Sequence, residues 1–160
     1  MMKELTHLGE DGAARMVDVG AKATSARRAE AGATLVVGEE VMAAIEGGTT
    51  PKGNVFETAR LAGIMAAKKT AELIPLCHQL PLDHISVDFE MTQTEIRIHA
   101  VATTRWSTGV EMEALTAASV AGLTLYDMLK AISKTMVFGE LRLLSKSGGR
   151  SGEYRAEETR

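Results

Sequence analysis

The chain has 160 residues, the length of one ordinary domain, and a formal charge of −3, which argues against a general nucleic-acid binder that would need a basic surface to neutralise phosphates. Aromatic residues make up only 4 %, which counts against base-stacking platforms, and one cysteine excludes an intrachain disulfide framework and fits a reducing compartment. No stretch approaches the ~18 consecutive apolar residues of a membrane span, and Met1-Met2-Lys3-Glu4 leads into polar residues without the apolar core of a secretory signal. A cytoplasmic enzyme or binding domain, one unit over 1–160, is expected, with mobile ends at about 1–15 and about 150–160.

Residues 1–26 hold one short apolar phrase, Met16-Val17-Asp18-Val19. Period-two alternation from Arg28 to Val37 predicts a strand. Glu39-Glu40 suit the positive end of a short helix that Gly47-Gly48 stop. Asn54 and Glu57 resemble a capping box, and a long helix is predicted from there to about Leu73, limited by Pro75. Its Ala59, Ala62, Gly63, Ala66 and Ala67 permit close packing on a sheet or on another subunit. After the apolar loop Ile74–Pro81, two alternating runs around Ile85–Met91 and Ile96–Ala102 meet at Thr92-Gln93 and predict an antiparallel hairpin. Apolar residues from Leu115 to Met136 recur at spacings of three and four, so a third helix is expected from Gly109 to about Met136. A last strand follows, with Leu141 and Leu143 on one face. Strand, helices, two strands, helix, strand is the split βαβ order. The predicted fold is therefore an α+β, ferredoxin-like sandwich, an antiparallel sheet with helices on one face.

Five places could carry chemistry. On the third helix Glu113, Asp127, Lys130 and Lys134 share an arc of roughly 100°, suited to binding a polar ligand and moving protons; a solvated face with ordinary ion pairs is the plainer reading. Lys52 stands in a Pro-Lys-Gly loop before a helix N-terminus, where an anion is favoured, or is simply an exposed loop lysine. Cys77-His78 lies in a proline-bracketed loop. One cysteine and four scattered histidines give no zinc spacing, so no metal site is expected. His78 remains a ligand contact or proton carrier. The run Lys146-Ser147-Gly148-Gly149-Arg150-Ser151-Gly152 offers amides and cations to a phosphate, or is a flexible exit turn. Arg27-Arg28 adds guanidinium groups at the start of the first strand, as phosphate binders or edge charges.

The same segments carry a resemblance. Met16-Val17-Asp18-Val19, Ile74-Pro75-Leu76-Cys77-His78, the run from Thr108 through Gly109-Val110-Glu111-Met112-Glu113-Ala114-Leu115 to Ser119, and Lys146-Ser147-Gly148-Gly149 resemble the molybdenum cofactor biosynthesis protein C family over roughly residues 5–155. The resemblance implies a ferredoxin-like lyase. It would convert a GTP-derived 3′,8-cyclised dihydro nucleotide into cyclic pyranopterin monophosphate and release pyrophosphate. It implies a trimer of dimers with the pocket across a subunit interface. It also implies catalytic roles for Asp127, Lys130 and Lys52, and substrate contacts from Leu76, Cys77, His78, Met112, Glu113, Glu111, Arg27 and Lys146. No tightly bound cofactor is implied, and Mg²⁺ is expected only as a companion of the triphosphate. The pattern departs at Trp106-Ser107, where the family has Gly and a basic residue. The competing classes are a non-enzymatic ligand-binding module and an RNA-binding sheet; the clustered Lys52, Asp127 and Lys130 disfavour the first, the charge and missing sheet aromatics the second.

Overall fold

In the computed structural model, which describes residues 11–157, a five-stranded antiparallel sheet carries the helices on one face. The elements are β1 (Ser25–Val36), α1 (Glu39–Glu46), α2 (Val55–Ala67), α3 (Thr70–Leu73), β2 (His84–Met91), β3 (Glu95–Trp106), α4 (Glu111–Leu129), β4 (Val137–Ser147) and β5 (Tyr154–Arg155). The strand order is β2-β3-β1-β4-β5. This is the expected split βαβ arrangement, extended at one edge by β5, whose Arg155 and Tyr154 pair with Ser145 and Lys146. The expectation of a mobile stretch over about 1–15 falls mainly on residues outside those described, as do 158–160.

Alternation sets the two faces of the sheet. Ala29, Ala31, Ala33 and Leu35 of β1 and Ile96, Ile98, Ala100 and Ala102 of β3 are buried beneath the helices. The register Ala31↔Ala100 and Ala33↔Ile98 puts these small and branched residues side by side. The opposite face is charged: Glu30 accepts from Arg28 at 2.7 Å and pairs with His99 at 2.9 Å. At the β2 edge, Arg60 of α2 reaches Asp88 at 3.0 Å, donates to the Val87 carbonyl and stands 5.5 Å over the Phe89 ring.

The small residues of α2 are used within the chain. A Cβ on Gly63 would lie 2.8 Å from the Ala117 carbonyl of α4 and 3.2 Å from the Ala121 methyl, so only glycine permits this approach. What α2 and α4 present outward is instead large and apolar: Leu61, Met65 and Leu123 are exposed.

Three boundaries differ from expectation. The second helix does not run to Leu73: it stops at Ala67, the buried Thr70 hydroxyl bonds the Ala67 carbonyl, and a single turn, α3, follows. The third helix ends at Leu129 rather than near Met136, with Lys130 as its C-cap. Beyond it the Ser133 hydroxyl bonds the Thr135 amide and hydroxyl, a local alternative to helical pairing. Met136 is nevertheless buried. In β4 the pairing shifts between Gly32 and Thr34, and Glu140 adopts a left-handed φ of 54°. Consequently Phe138 and Leu143 pack on the core while Leu141 stays exposed.

Candidate active site

The expected site residues fall into two groups at opposite ends of α4. Fourteen residues separate Glu113 from Asp127, which at 1.5 Å of rise per residue is ~21 Å along the axis. Angular position about the axis places them on one stripe and carries no information about distance along it. Lys134 leaves the stripe altogether, because the helix has ended before it.

At the C-terminal end, Asp127 holds two lysines. Lys52 Nζ donates to Asp127 Oδ2 at 2.7 Å and to its backbone carbonyl at 3.1 Å, and Lys130 Nζ meets Oδ1 at 2.6 Å. Lys52 arrives there because Asn54 caps α2, accepting from the Glu57 amide at 3.1 Å, and Thr50 closes the preceding loop by donating to the Gly53 carbonyl at 2.6 Å. The hydrogen bond from Lys130, and then that from Lys52, pulls the Asp127 carboxyl down to about 2. The same bond raises Lys130, so its ammonium is held more firmly than in an ordinary lysine and is a proton donor or electrostatic group here. All three side chains stay about half exposed, at 44 %, 53 % and 49 % for Lys52, Asp127 and Lys130. Surface ion pairs of this kind contribute little to stability, so the arrangement is not explained by folding alone.

At the N-terminal end, Leu76, Cys77, His78, Glu111, Met112 and Glu113 line one cavity of about 340 Å³. His78 Nε2 lies 2.6 Å from the Val17 carbonyl. A carbonyl only accepts, so Nε2 carries the proton and Nδ1 is left as the other ring nitrogen. The phrase Met16–Val19 therefore fixes the imidazole. Glu113 is 4 % exposed. Burial pushes its carboxyl up to about 7, the Glu111 charge adding to this and the bond from its own amide opposing it. Near neutrality Glu113 is thus shared between acid and carboxylate, the condition of an efficient proton-transfer group. Burial, and then the Glu113 charge, raises the Cys77 thiol, which disfavours the thiolate needed for nucleophilic attack.

The cations of this end surround a neighbouring cavity of about 1120 Å³, reached by Lys22, Arg27 and Arg150. Lys146 Nζ pairs with Glu111 at 2.9 Å and donates to Ser151 at 3.0 Å. Arg27 donates to the Ser107 carbonyl at 3.3 Å. A guanidinium therefore stands beside Ser107, the position at which the family pattern lost its basic residue. Gly149, at φ 79°, lies against that guanidinium, and a Cβ there would sit 2.0 Å from Arg27 Nη1. Lys22 and Arg150 were not singled out as individual site residues. Lys22 lies in a segment without regular structure that offers no periodic signal, and only the cationic, glycine-rich character of its run marked Arg150. Another open hollow, about 690 Å³ and lined by Thr34, Asp88, His99 and Arg142 among others, contains none of the expected site residues.

A ferredoxin-like α+β domain with a near-neutral buried carboxyl, an oriented imidazole and grouped cations about a cleft has the features of an enzyme for anionic small molecules. The MoaC family model matches residues 16–149, and the chain belongs to that family. It is 55 % identical over 153 residues to a protein of Chloroflexus aurantiacus, covering 94 % of each chain. It is 53 % identical over 157 residues to one of Novosphingobium aromaticivorans, covering 98 % of this chain and 100 % of the relative. A protein of Peptoclostridium acidaminophilum is 48 % identical over 154 residues, covering 96 % and 98 %. All three relatives are named cyclic pyranopterin monophosphate synthase.

Proposed function

We propose that this chain is a cyclic pyranopterin monophosphate synthase of molybdenum cofactor biosynthesis. It converts the GTP-derived 3′,8-cyclo-7,8-dihydro-GTP into cyclic pyranopterin monophosphate and releases pyrophosphate. The observation that carries this is full-length similarity to relatives of that name, 53 % identity over all of one of them, joined to a site able to perform the chemistry. Opening the imidazole ring and rebuilding it as a pterin calls for several proton transfers, for which Glu113, His78 and Lys130 are suited. To close the cyclic phosphate, a hydroxyl of the substrate attacks the α-phosphorus. Its proton is lost, the bond to the bridging oxygen breaks, and pyrophosphate leaves; lysine and arginine side chains offset the charge that develops. Mg²⁺ would arrive on the triphosphate as part of the substrate. Among the described residues no group of three His, Cys, Asp or Glu side chains is placed to hold a metal, so no residue is assigned to it.

We further propose that the working form is a homohexamer, a trimer of dimers in the cytoplasm, in which the Lys52–Asp127–Lys130 end of one α4 completes the Glu113–His78 end of another. The ~21 Å between the two ends exceeds the reach of a single reacting centre. The exposed Leu61, Met65 and Leu123 give the helical layer an apolar surface for such a contact. No helix among the described residues is long and apolar enough to cross a membrane. The test is to mix two inactive variants, Lys130→Ala and Glu113→Gln, refold them together and assay pyrophosphate release. Random pairing restores about one quarter of the parental activity if sites are shared between copies, and none if each chain holds a whole site.

A further inference from the structure

We infer that Asp18 is a positioning residue: the turn it closes aims the Val17 carbonyl at His78, which leaves Nδ1 of that imidazole as the nitrogen that exchanges protons with the substrate. This rests on the proposed reaction and deepens it by giving the Met16–Val19 phrase a task and His78 a working atom.

Residues 16–22 form no helix or strand, yet three hydrogen bonds shape them. Asp18 Oδ1 accepts from the Gly20 amide at 2.8 Å, the Val19 carbonyl accepts from the Lys22 amide at 3.0 Å, and the Val17 carbonyl accepts from His78 Nε2 at 2.6 Å. The first two are a side-chain turn running into a backbone turn. Aspartate favours this because its short carboxylate reaches the amide two residues on. A Cβ on Gly20 would lie 3.2 Å from Asp18 Oδ1, so glycine lets the carboxylate close over its own turn. The third bond is the one that ties 16–22 to the rest of the chain among the described residues. Burial alternates along the phrase. Val17 and Val19 are half-buried and line the His78 cavity, whereas Asp18 is exposed and lines the neighbouring one. The Asp18 carboxylate is bonded to its own turn, so it acts on His78 through the backbone.

The consequence for proton transfer lies in the ring. Nε2 gives its proton to a carbonyl and is thereby occupied. Nδ1 has no hydrogen-bond partner among the described residues, and its side chain lines the cavity that also holds Glu113. A proton leaving the substrate enters the Nδ1 lone pair. The imidazolium so formed keeps its Nε2 proton on the Val17 carbonyl, and the Nδ1 proton is returned at a later transfer. With the Asp18 turn opened, the carbonyl no longer fixes the ring, and a ring flip exchanges the two nitrogens. A displacement of about 1 Å is enough to slow such a transfer.

Asp18→Ala and Asp18→Asn separate the turn from the charge, because asparagine keeps an oxygen that accepts from the Gly20 amide and alanine does not. Asp18→Ala should lower kcat about tenfold with KM within about twofold of the parent, and Asp18→Asn should recover most of the loss. The His78 Nε2 proton gives a readout that needs no substrate, since an imidazole N–H is visible by proton NMR when a hydrogen bond slows its exchange with water. In ¹⁵N-histidine-labelled protein at pH 8.5, this signal, assigned with His78→Gln, should be present in the parent and in Asp18→Asn and lost in Asp18→Ala. Circular dichroism should be the same in all. No such signal in the parent, an unaltered one in Asp18→Ala, or an Asp18→Asn as impaired as Asp18→Ala would overturn the assignment, the last by showing that the charge matters and not the turn. Failure of the proposed reaction would show differently, as absent product from the cyclised nucleotide with the NMR pattern intact.

Discussion

Glu113 makes the strongest quantitative demand on the structure. Its carboxyl lies at about 7 in the folded chain against an ordinary value of 4.5. Between those values the native protein keeps a proton that the unfolded chain has lost. Stability therefore falls as pH rises through the window, and is flat with respect to this group on either side. A window of about 2.5 pH units at about 1.4 kcal/mol each makes the loss about 3 kcal/mol. Glu113→Gln keeps the shape and cannot ionise. Its stability relative to the parent should accordingly improve by about 3 kcal/mol between pH 4.5 and pH 7. Urea unfolding followed by circular dichroism from pH 4 to pH 8.5, at fixed protein concentration because the proposed assembly would add a concentration-dependent contribution, measures the difference. A difference that stays constant across that range would refute the reasoning. Under the proposed mechanism the same variant should lose turnover, and the parent's activity should decline above about pH 7 as Glu113 loses its proton.

Lys52→Ala and Lys130→Ala should each reduce pyrophosphate release by more than ~100-fold without altering circular dichroism or oligomer size, because both side chains are exposed and neither supports the core. Near-parental turnover in either variant would return that lysine to the surface. Gly149→Ala forces a left-handed residue and a Cβ onto Arg27; a destabilisation of about 1 kcal/mol and weaker pyrophosphate binding are expected, read by thermal unfolding and calorimetry. Gly63→Val should cost about 2–3 kcal/mol by driving α2 off the Ala117 carbonyl, seen as a lowered urea midpoint.

The sequence made the sheet legible because alternation over β1, β2 and β3 is unbroken, and a period of two leaves only one way to bury Ala29, Ala31, Ala33 and Leu35. It misplaced the end of α4 because the apolar spacing continues through Ile132 and Met136, which reach the core from a turn rather than a helix. Leu141 was misassigned because a single left-handed residue, Glu140, resets the faces of β4 and leaves no periodic trace. In the site, residue types and angular position are legible in the sequence, but angular position alone does not distinguish two clusters ~21 Å apart along the helix from one stripe.

The contact of Arg60 with the Val87 carbonyl bears on more than the joint between α2 and β2. β2 is a terminal strand of the sheet, and an unoccupied terminal strand invites another chain to continue the ladder. A guanidinium on one of its carbonyls, with Asp88 beside it, removes a rung from that template. At the far end β5 is two residues long, too short to template an addition. Copies of this protein are thereby discouraged from growing strand upon strand into an open-ended ribbon.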